Sequence, residues 1–318
     1  MISDDARRLL TLCAARVDGK SPDWSLLARR AGAGELEELA AGIVSEPGPA
    51  AGRTRKLLRE ALIDQRDAIA RVDAELEAAD QVDARLVTVL DDDYPANLRL
   101  VHDLPPFLFI RGTLRREDLK AVAVVGTRSV SDTGLSRARR MASELVGHGV
   151  TVTSGLAKGV DTAAHTAALD AGGRTIAVMG TGITRCYPAE NRELAERIVK
   201  SGALVSQFWP TRAPGRDTFP RRNRVTSGIS QGTVVIEASS TSGAKMQARL
   251  ASEHGKQVWL IQSLVTSQPW AQAMVADGRA REVSSTSEVL EQLQDPDTVT
   301  ASAQPALQAA DTQLALDL

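Results

Sequence analysis

Between residue 85 and about residue 262 the chain alternates between two hydrophobic rhythms. The runs "RLVTVL", "AVAVV", "VTVTS", "TIAVM", "ALVSQ", "TVVIEA" and "QVWLIQ" are rich in β-branched residues and have the length of one buried strand. Between them lie "SRARRMASELVGHG", "DTAAHTAALDAGG" and "NRELAERIVKSG", whose apolar positions recur every three or four residues and which close on glycine. Continuous apolar strands alternating with amphipathic helices predict a parallel sheet covered on both faces. The expected fold is α/β, an extended Rossmann-like, doubly wound, mostly parallel sheet over residues 83–294.

Residues 1–82 follow the helical rhythm alone. Ser21-Pro22 has the form of an N-cap followed by proline at the first helical position, and "WSLLARRAGAGELEELAAGI" carries Leu26, Leu27, Leu36, Leu39 and Ile43 at helical spacings. A further helix is expected from Arg53 to Ala79, with the Pro- and Gly-rich "SEPGPAAG" as a loop before it. These residues form a small N-terminal helical domain in this reading. From Asp295 onward, Pro, Ala, Gln and Thr without periodicity predict a flexible acidic tail over 295–318.

Composition narrows the class. With 43% hydrophobic and 25% charged residues the chain is too apolar to be disordered. No run approaches the roughly 18 apolar residues of a membrane span, and "MISDDARRLL" has acids where a secretory leader has a basic flank. Cys13 and Cys186 stand far apart, there is no CxxC, and the chain has only four histidines, so neither a disulfide framework nor a zinc site is encoded. A cytoplasmic protein without metal or cofactor is expected. The net charge of −2 hides an asymmetry: Glu282 to Leu318 holds seven acids and no Lys or Arg, which leaves the preceding chain at +5.

In doubly wound sheets ligands collect beyond the carboxyl ends of the strands. There the sequence places Gly126-Thr127-Arg128, then Ser154-Gly155-Leu156-Ala157-Lys158-Gly159, then Gly180-Thr181-Gly182. Small residues let backbone N–H groups approach an anion, the following helix points its positive end there, and Thr127 and Ser154 add hydroxyls. For any single turn, glycine also serves plain chain reversal. Together with Arg128 and Lys158 the three turns describe a phosphate cradle. Neither G-x-x-x-x-G-K-[ST] nor a complete G-x-G-x-x-G is present, which argues against a P-loop ATPase and a dinucleotide dehydrogenase.

The densest positive segment is "WPTRAPGRDTFPRRNRVTSGIS", with Arg212, Arg216, Arg221, Arg222 and Arg224 against the single acid Asp217. The planar guanidinium grips phosphate oxygens in pairs, and Asn223 can orient its neighbours or bond a phosphate itself. Phe208, Trp209 and Phe219 are the only aromatics near by, so a bound strand is gripped mainly by its backbone. Catalytic candidates are sparse. Ser154, Asp161 and His165 permit a triad on paper, but the i, i+4 spacing of Asp161 and His165 suits a helix-surface pair better. Glu237 ends the strand "TVVIE" as the best candidate for a base or a ligand-binding carboxylate, with a buried structural acid equally open.

An ordered set of motifs covers Leu90 to Gly278: "YPANL", "VVGTRSVSDTGLSRAR", "VTSGLAKGVDTAAHTAAL", "GGRTIAVMGTGITRCYPAENRELAERI", "GALVSQF", "FPRRNRVTSGIS", "VIEASSTSGAKMQARLA" and "HGKQVW". On these the chain resembles the DNA-processing protein A family, also called Smf. The resemblance implies a homodimeric, non-enzymatic protein that binds single-stranded DNA and helps load RecA recombinase during recombination or DNA uptake. It also implies DNA contacts at Gly126, Thr127, Arg128, Ser154, Gly155, Lys158, Arg221, Asn223, Arg224, Ser242 and Gly243; the cradle and the basic segment add Gly180 and Arg222. The chain departs from the family pattern at Ala244-Lys245-Met246, at Leu260 to Ser263 and at Gln207, and it has the acidic tail where many members carry a winged helix.

The last residues, "TQLALDL", resemble peptides that dock on the replicative sliding clamp, through Gln313, Leu314, Leu316 and Leu318; a frayed amphipathic end is the alternative. Two other functions stay open for the whole chain. One is a nucleotide sensor using the same cradle. The other is a nucleoside-monophosphate glycosidase, disfavoured because Ser239 to Gly243 stands where that class has Pro-Gly-Gly-x-Gly-Thr.

Overall fold

The computed structural model describes residues 2–303. Nine strands form one sheet: β1 (Arg85–Thr88), β2 (Phe107–Gly112), β3 (Ala121–Val125), β4 (Thr151–Ser154), β5 (Thr175–Val178), β6 (Ala203–Ser206), β7 (Gly232–Val235), β8 (Gln257–Ile261) and β9 (Arg281–Val283). Their spatial order is β1-β2-β6-β5-β4-β3-β7-β8-β9. Every pairing from β6 to β9 is parallel, whereas β2 runs antiparallel to both β1 and β6. All residues of β3, β4, β5, β6 and β7 are buried, which is why those runs lack polar alternation. The α/β, mostly parallel architecture expected from the sequence is the one observed. β2 and β9 were not among the expected strands: "FLFIRG" follows Pro105-Pro106 and extends the sheet at one side, and β9 is three residues long.

The N-terminal region is helical, in five segments: Asp4–Ala14, Trp24–Gly32, Leu36–Ala40, Pro49–Ala61 and Arg66–Asp80. Two expectations need correction. The second helix starts at Trp24, not at Pro22, because the Asp23 carboxylate accepts from the N–H groups of Ser25 and Leu26. The single helix expected over Arg53–Ala79 is two, divided at 62–65, where Asp64 accepts from Arg66 N at 3.0 Å and restarts the chain.

These helices share their core with the sheet. Leu9, Leu10, Leu26, Leu27 and Leu58 belong to one buried cluster with Phe107, Phe109, Val178 and Val205. Trp24, Phe107 and Trp209 form its aromatic centre, with centroid separations of 5.0, 6.0 and 4.9 Å. Each fully buried leucine contributes about 1.5–3 kcal/mol. A change of hydrophobic rhythm near residue 82 therefore does not coincide with a break in the core.

The tail expected to be flexible from Asp295 is ordered at its start. Residues 296–303 are helical, and Val299 and Ala303 are buried. Asp295 accepts from Thr298 N at 3.0 Å, Pro296 takes the first turn, and Asp297 pairs with Arg116. Asp-Pro-x-Thr is a helix start that its low-complexity surroundings concealed. Gln313, Leu314, Leu316 and Leu318 lie outside the described residues. Among the described residues no helix is long and apolar enough to cross a membrane.

Candidate nucleic-acid interface

The sheet order reverses at β3. Strands β4, β5 and β6 are added on one side of it and β7, β8 and β9 on the other. The loops leaving β3 and β7 therefore diverge, and the space between them is where a doubly wound sheet offers a ligand site. An open cleft of about 470 Å³ occupies that position. Gly126, Thr127 and Arg128 form one wall, Ser239, Thr241, Ser242 and Gly243 the opposite wall, and Arg216 and Phe219 the rim. Gly155, Arg222 and Asn223 also line it.

Local sequence explains each wall. Ser242 caps the helix Gly243–Glu253, its hydroxyl accepting from Ala244 N at 3.2 Å, so that helix starts at the cleft. Thr127 N donates to the Glu237 carbonyl at 2.7 Å, which ties the two strand ends together. Arg128 is exposed, its guanidinium lies over the Phe219 ring at 5.4 Å, and no carboxylate pairs with it among the described residues. Arg216, on the facing rim, is likewise exposed and, among the described residues, free of an acid. Two uncompensated cations facing a pair of hydroxyl- and glycine-lined turns give the cleft a positive field.

Arg222 plays a different part from the one expected. It is buried, donates to the carbonyls of Gly155 and Val178, the latter at 3.0 Å, and gives Nε to Asn223 Oδ1 at 3.1 Å. Burial lowers its pKa, Asp161 opposes that effect, and Arg128 adds to it. Arg222 is thus a fixed positive floor held by carbonyls, and Asn223 is the residue that orients it. Ser154 is fully buried and spends its hydroxyl on the Val124 carbonyl at 2.7 Å, so it faces no ligand. Gly155 N, at 3.2 Å, and Ala157 N, at 3.3 Å, donate to the Asp161 carboxylate, which occupies the donors expected to hold phosphate. Burial raises the pKa of Asp161 against the pull of Arg222. Lys158 stands exposed beside Glu190 at 2.5 Å, outside the cleft lining.

Gly180 lies against Phe219, whose ring a Cβ at that position would meet at 2.7 Å. The third glycine turn is therefore closed by an aromatic side chain instead of opening on the cleft. Phe219 is itself half-buried between Gly180, Arg128 and the exposed Tyr187, 5.8 Å from its ring.

Arg221 and Arg224 point elsewhere. Both sit on the helix Thr218–Gly228, one turn apart, and line a separate cavity of about 420 Å³ between the N-terminal helices and residues 207–217. Arg224 pairs there with Asp103 at 3.1 Å, and Arg212 with Asp217 at 2.9 Å. The basic segment is divided between two cavities by the phase of its helix, and does not form one continuous patch.

The catalytic candidates are engaged in structure. Glu237 accepts from Ser131 Oγ at 2.6 Å and Ser131 N at 3.2 Å, securing the start of the helix Asp132–Gly147. His165 is fully buried with Nδ1 at 2.6 Å from Thr175 Oγ1, whose own proton goes to the Val152 carbonyl. The imidazole proton therefore sits on Nδ1, and burial lowers the pKa to about 3. No Ser154–His165 contact exists for a triad to use. Ser239, Thr241 and Gln247 are cleft residues that sequence reasoning left unassigned. Their signal was position, at or after the strand end that faces Gly126.

Comparison with known proteins identifies the family and the fold. The family model for "DNA recombination-mediator protein A" matches residues 85–294, two thirds of the chain. The chain belongs to the DNA recombination-mediator protein A family. Among curated members, the DNA processing protein DprA of Streptococcus pneumoniae is 40% identical over 174 residues, covering 55% of this chain and 61% of the relative. Protein Smf of Synechocystis sp. is 38% identical over 188 residues, 58% of this chain and 47% of the relative. The chain thus spans about half to three fifths of the curated relatives it matches. The X-ray structure of DNA processing protein A from S. pneumoniae superposes with a TM-score of 0.71 at 28% identity, over 92% of this chain and 99% of that one. DNA processing protein A from Helicobacter pylori, solved for its single-stranded DNA binding mode, shares the fold at 23% identity and a TM-score of 0.59. The mediator-protein match begins at β1 and ends just before the capped helix at 296–303.

Proposed function

We propose that this protein binds single-stranded DNA in DNA processing and recombination, with the cleft at the β3/β7 reversal holding consecutive phosphates. The observation that carries this reading is the pair of unpaired exposed arginines, Arg128 and Arg216, facing two helix-starting turns across an open cleft with a buried guanidinium as its floor. Open walls suit a polymer that enters and leaves along its length. Phosphate contacts from arginine, hydroxyls and backbone carry no base identity, so binding is expected to tolerate any sequence. Gly126, Thr127, Arg128, Ser242 and Gly243 are the contacts in this reading, with Arg222 and Asn223 acting beneath them. Phe219 offers one ring at the rim for a base or for Arg128. Residues 83–294 carry the interface, and residues 1–82 buttress it.

Family membership supports a place in natural transformation or repair, as a homodimer that helps load RecA recombinase and catalyses no reaction. These partners rest on the family and on no residue of the cleft. A nucleotide sensor would use the same cradle, and it differs in a measurable way. Fluorescence-anisotropy titration with labelled oligothymidylate, duplex and competing mononucleotide at two salt concentrations separates the readings. Single strands are expected to bind best, with log K falling by about 0.7 per log unit of salt for each phosphate engaged. Tight mononucleotide binding with no strand affinity would overturn the proposal.

A further inference from the structure

The second cavity, of about 420 Å³, is lined by Arg71 from the helix Arg66–Asp80, by Arg16 beyond the first helix, and by Arg221 from the far side. Its acids are spoken for: Asp23 caps a helix, Asp103 holds Arg224 and His254, and Asp217 holds Arg212. Arg71 and Arg221 form no ion pair and donate no side-chain hydrogen bond among the described residues, although Asp217 acts on Arg221 from a distance. Each lies only on aromatic faces, Arg71 over Trp209 at 5.3 Å and Arg221 between Trp24 at 5.1 Å and Phe208 at 5.2 Å. Both are half-buried. Arg16 donates to three helix-end carbonyls, the nearest at 2.7 Å, and meets no acid among the described residues. Burial and then repulsion from Arg71 and Arg221 lower its pKa. Trp209, 4% exposed and lining the same cavity, has an indole Nε1 without a partner.

Guanidiniums half-withdrawn from water and gathered against the repulsion of Arg16, with no acceptor from the described residues, are a cost to the fold that an anion offsets. Aromatic faces behind guanidiniums fix their planes without consuming their N–H groups, so ten donors stay available. We propose that this cavity is a second anion site, distinct from the β3/β7 cleft, which takes a nucleotide phosphate between Arg71 and Arg221. Phosphate is favoured over carboxylate because Arg71 and Arg221 each offer a fork that forms no ion pair among the described residues, the cavity's acids being engaged elsewhere, and a tetrahedral dianion can accept from both. The phosphate comes either from a free nucleotide or from a strand that continues out of the first cleft. The site does not depend on what the first cleft binds.

The whole protein labelled with 5-fluorotryptophan tests this, because Trp24 and Trp209 touch the arginines while Trp259 is buried in β8. Inorganic pyrophosphate is expected to move the Trp24 and Trp209 fluorine resonances saturably and to leave Trp259 unmoved. Arg71→Gln is expected to weaken that response by about tenfold or more, equivalent to the loss of about 1.4 kcal/mol. Arg128→Ala, in the first cleft, is expected to retain it. An unmoved Trp259 resonance reports that Arg71→Gln is folded, and Arg71→Lys, which keeps the charge, is expected to recover part of the response. Thymidine monophosphate and oligothymidylate then distinguish the two sources of phosphate. No saturable shift of Trp24 and Trp209, the same response in Arg71→Gln, or a response lost in Arg128→Ala would each overturn the proposal.

Discussion

Arg222→Met separates a structural arginine from a ligand-binding one. The substitution keeps most of the side-chain volume and removes the guanidinium from a buried position. It deprives the carbonyls of Gly155 and Val178 and the Asn223 amide oxygen of a donor, and it leaves Asp161 buried without its cation. Arg222 and Asp161 are not in ion-pair contact, so the cost comes mainly from the stranded acceptors, about 1–3 kcal/mol for each buried group left without a donor. The expected loss in urea unfolding is therefore about 3–5 kcal/mol near pH 8. It should shrink with acid. Burial already raises the Asp161 pKa, and loss of Arg222 raises it further. A carboxyl raised in the folded state leaves stability intact below its unfolded pKa and weakens it as pH climbs through the folded value. Unfolding midpoints for wild type and Arg222→Met should thus converge as pH falls from about 8 to about 5. Asp161→Asn added to Arg222→Met should recover about 1–3 kcal/mol near pH 8, since the stranded charge is gone. A loss below about 1 kcal/mol, or one independent of pH, would refute Arg222 as a structural floor that also acts on Asp161.

Other outcomes are expected. Arg128→Ala and Arg216→Ala should each reduce the salt slope of oligothymidylate binding by about 0.7 and cost about 1.5–3 kcal/mol at low salt, equally for all sequences; unchanged slopes in anisotropy titrations would remove both from the interface. His165, neutral and buried with a pKa near 3 against an ordinary 6.5, stays uncharged in the fold while the unfolded chain takes up a proton below 6.5. Stability should then decline by about 1.4 kcal/mol per pH unit below that value, and His165→Gln should flatten the decline in urea unfolding. Gly182→Ala would drive a Cβ into the carbonyls of Trp209 and Pro210, backbone that cannot rotate aside, and should destabilise by about 1–3 kcal/mol, read as a lowered urea midpoint.

Much of the architecture was legible in the sequence because parallel strands are buried on both faces and so appear as uninterrupted apolar runs. Gly126, Thr127 and Arg128 could be placed at a site from strand ends alone, Ser242 and Gly243 only from the family resemblance, and all line the cleft. Helix phase was not legible. In Arg221-Arg222-Asn223-Arg224 the charges occupy successive positions about 100° apart, so the sequence has no apolar face to orient them, and only tertiary contacts send Arg222 inward and Arg221 and Arg224 to the other cavity. The Ser154 hydroxyl and the Gly155 N–H were misleading for another reason: a neighbouring carbonyl and an internal acid, Asp161, satisfy groups that looked available to a ligand, although Gly155 still lines the cleft. The helix at 296–303 was hidden by composition, since one Asp-Pro start outweighs a stretch without visible period.

Hydrogen–deuterium exchange of the whole protein with and without saturating oligothymidylate tests the central claim most directly. Protection should concentrate in residues 126–131, 216–223 and 239–247, which share the β3/β7 cleft although about a hundred residues separate the first from the others. Protection confined to other surfaces, with these three segments exchanging as in the free protein, would contradict it.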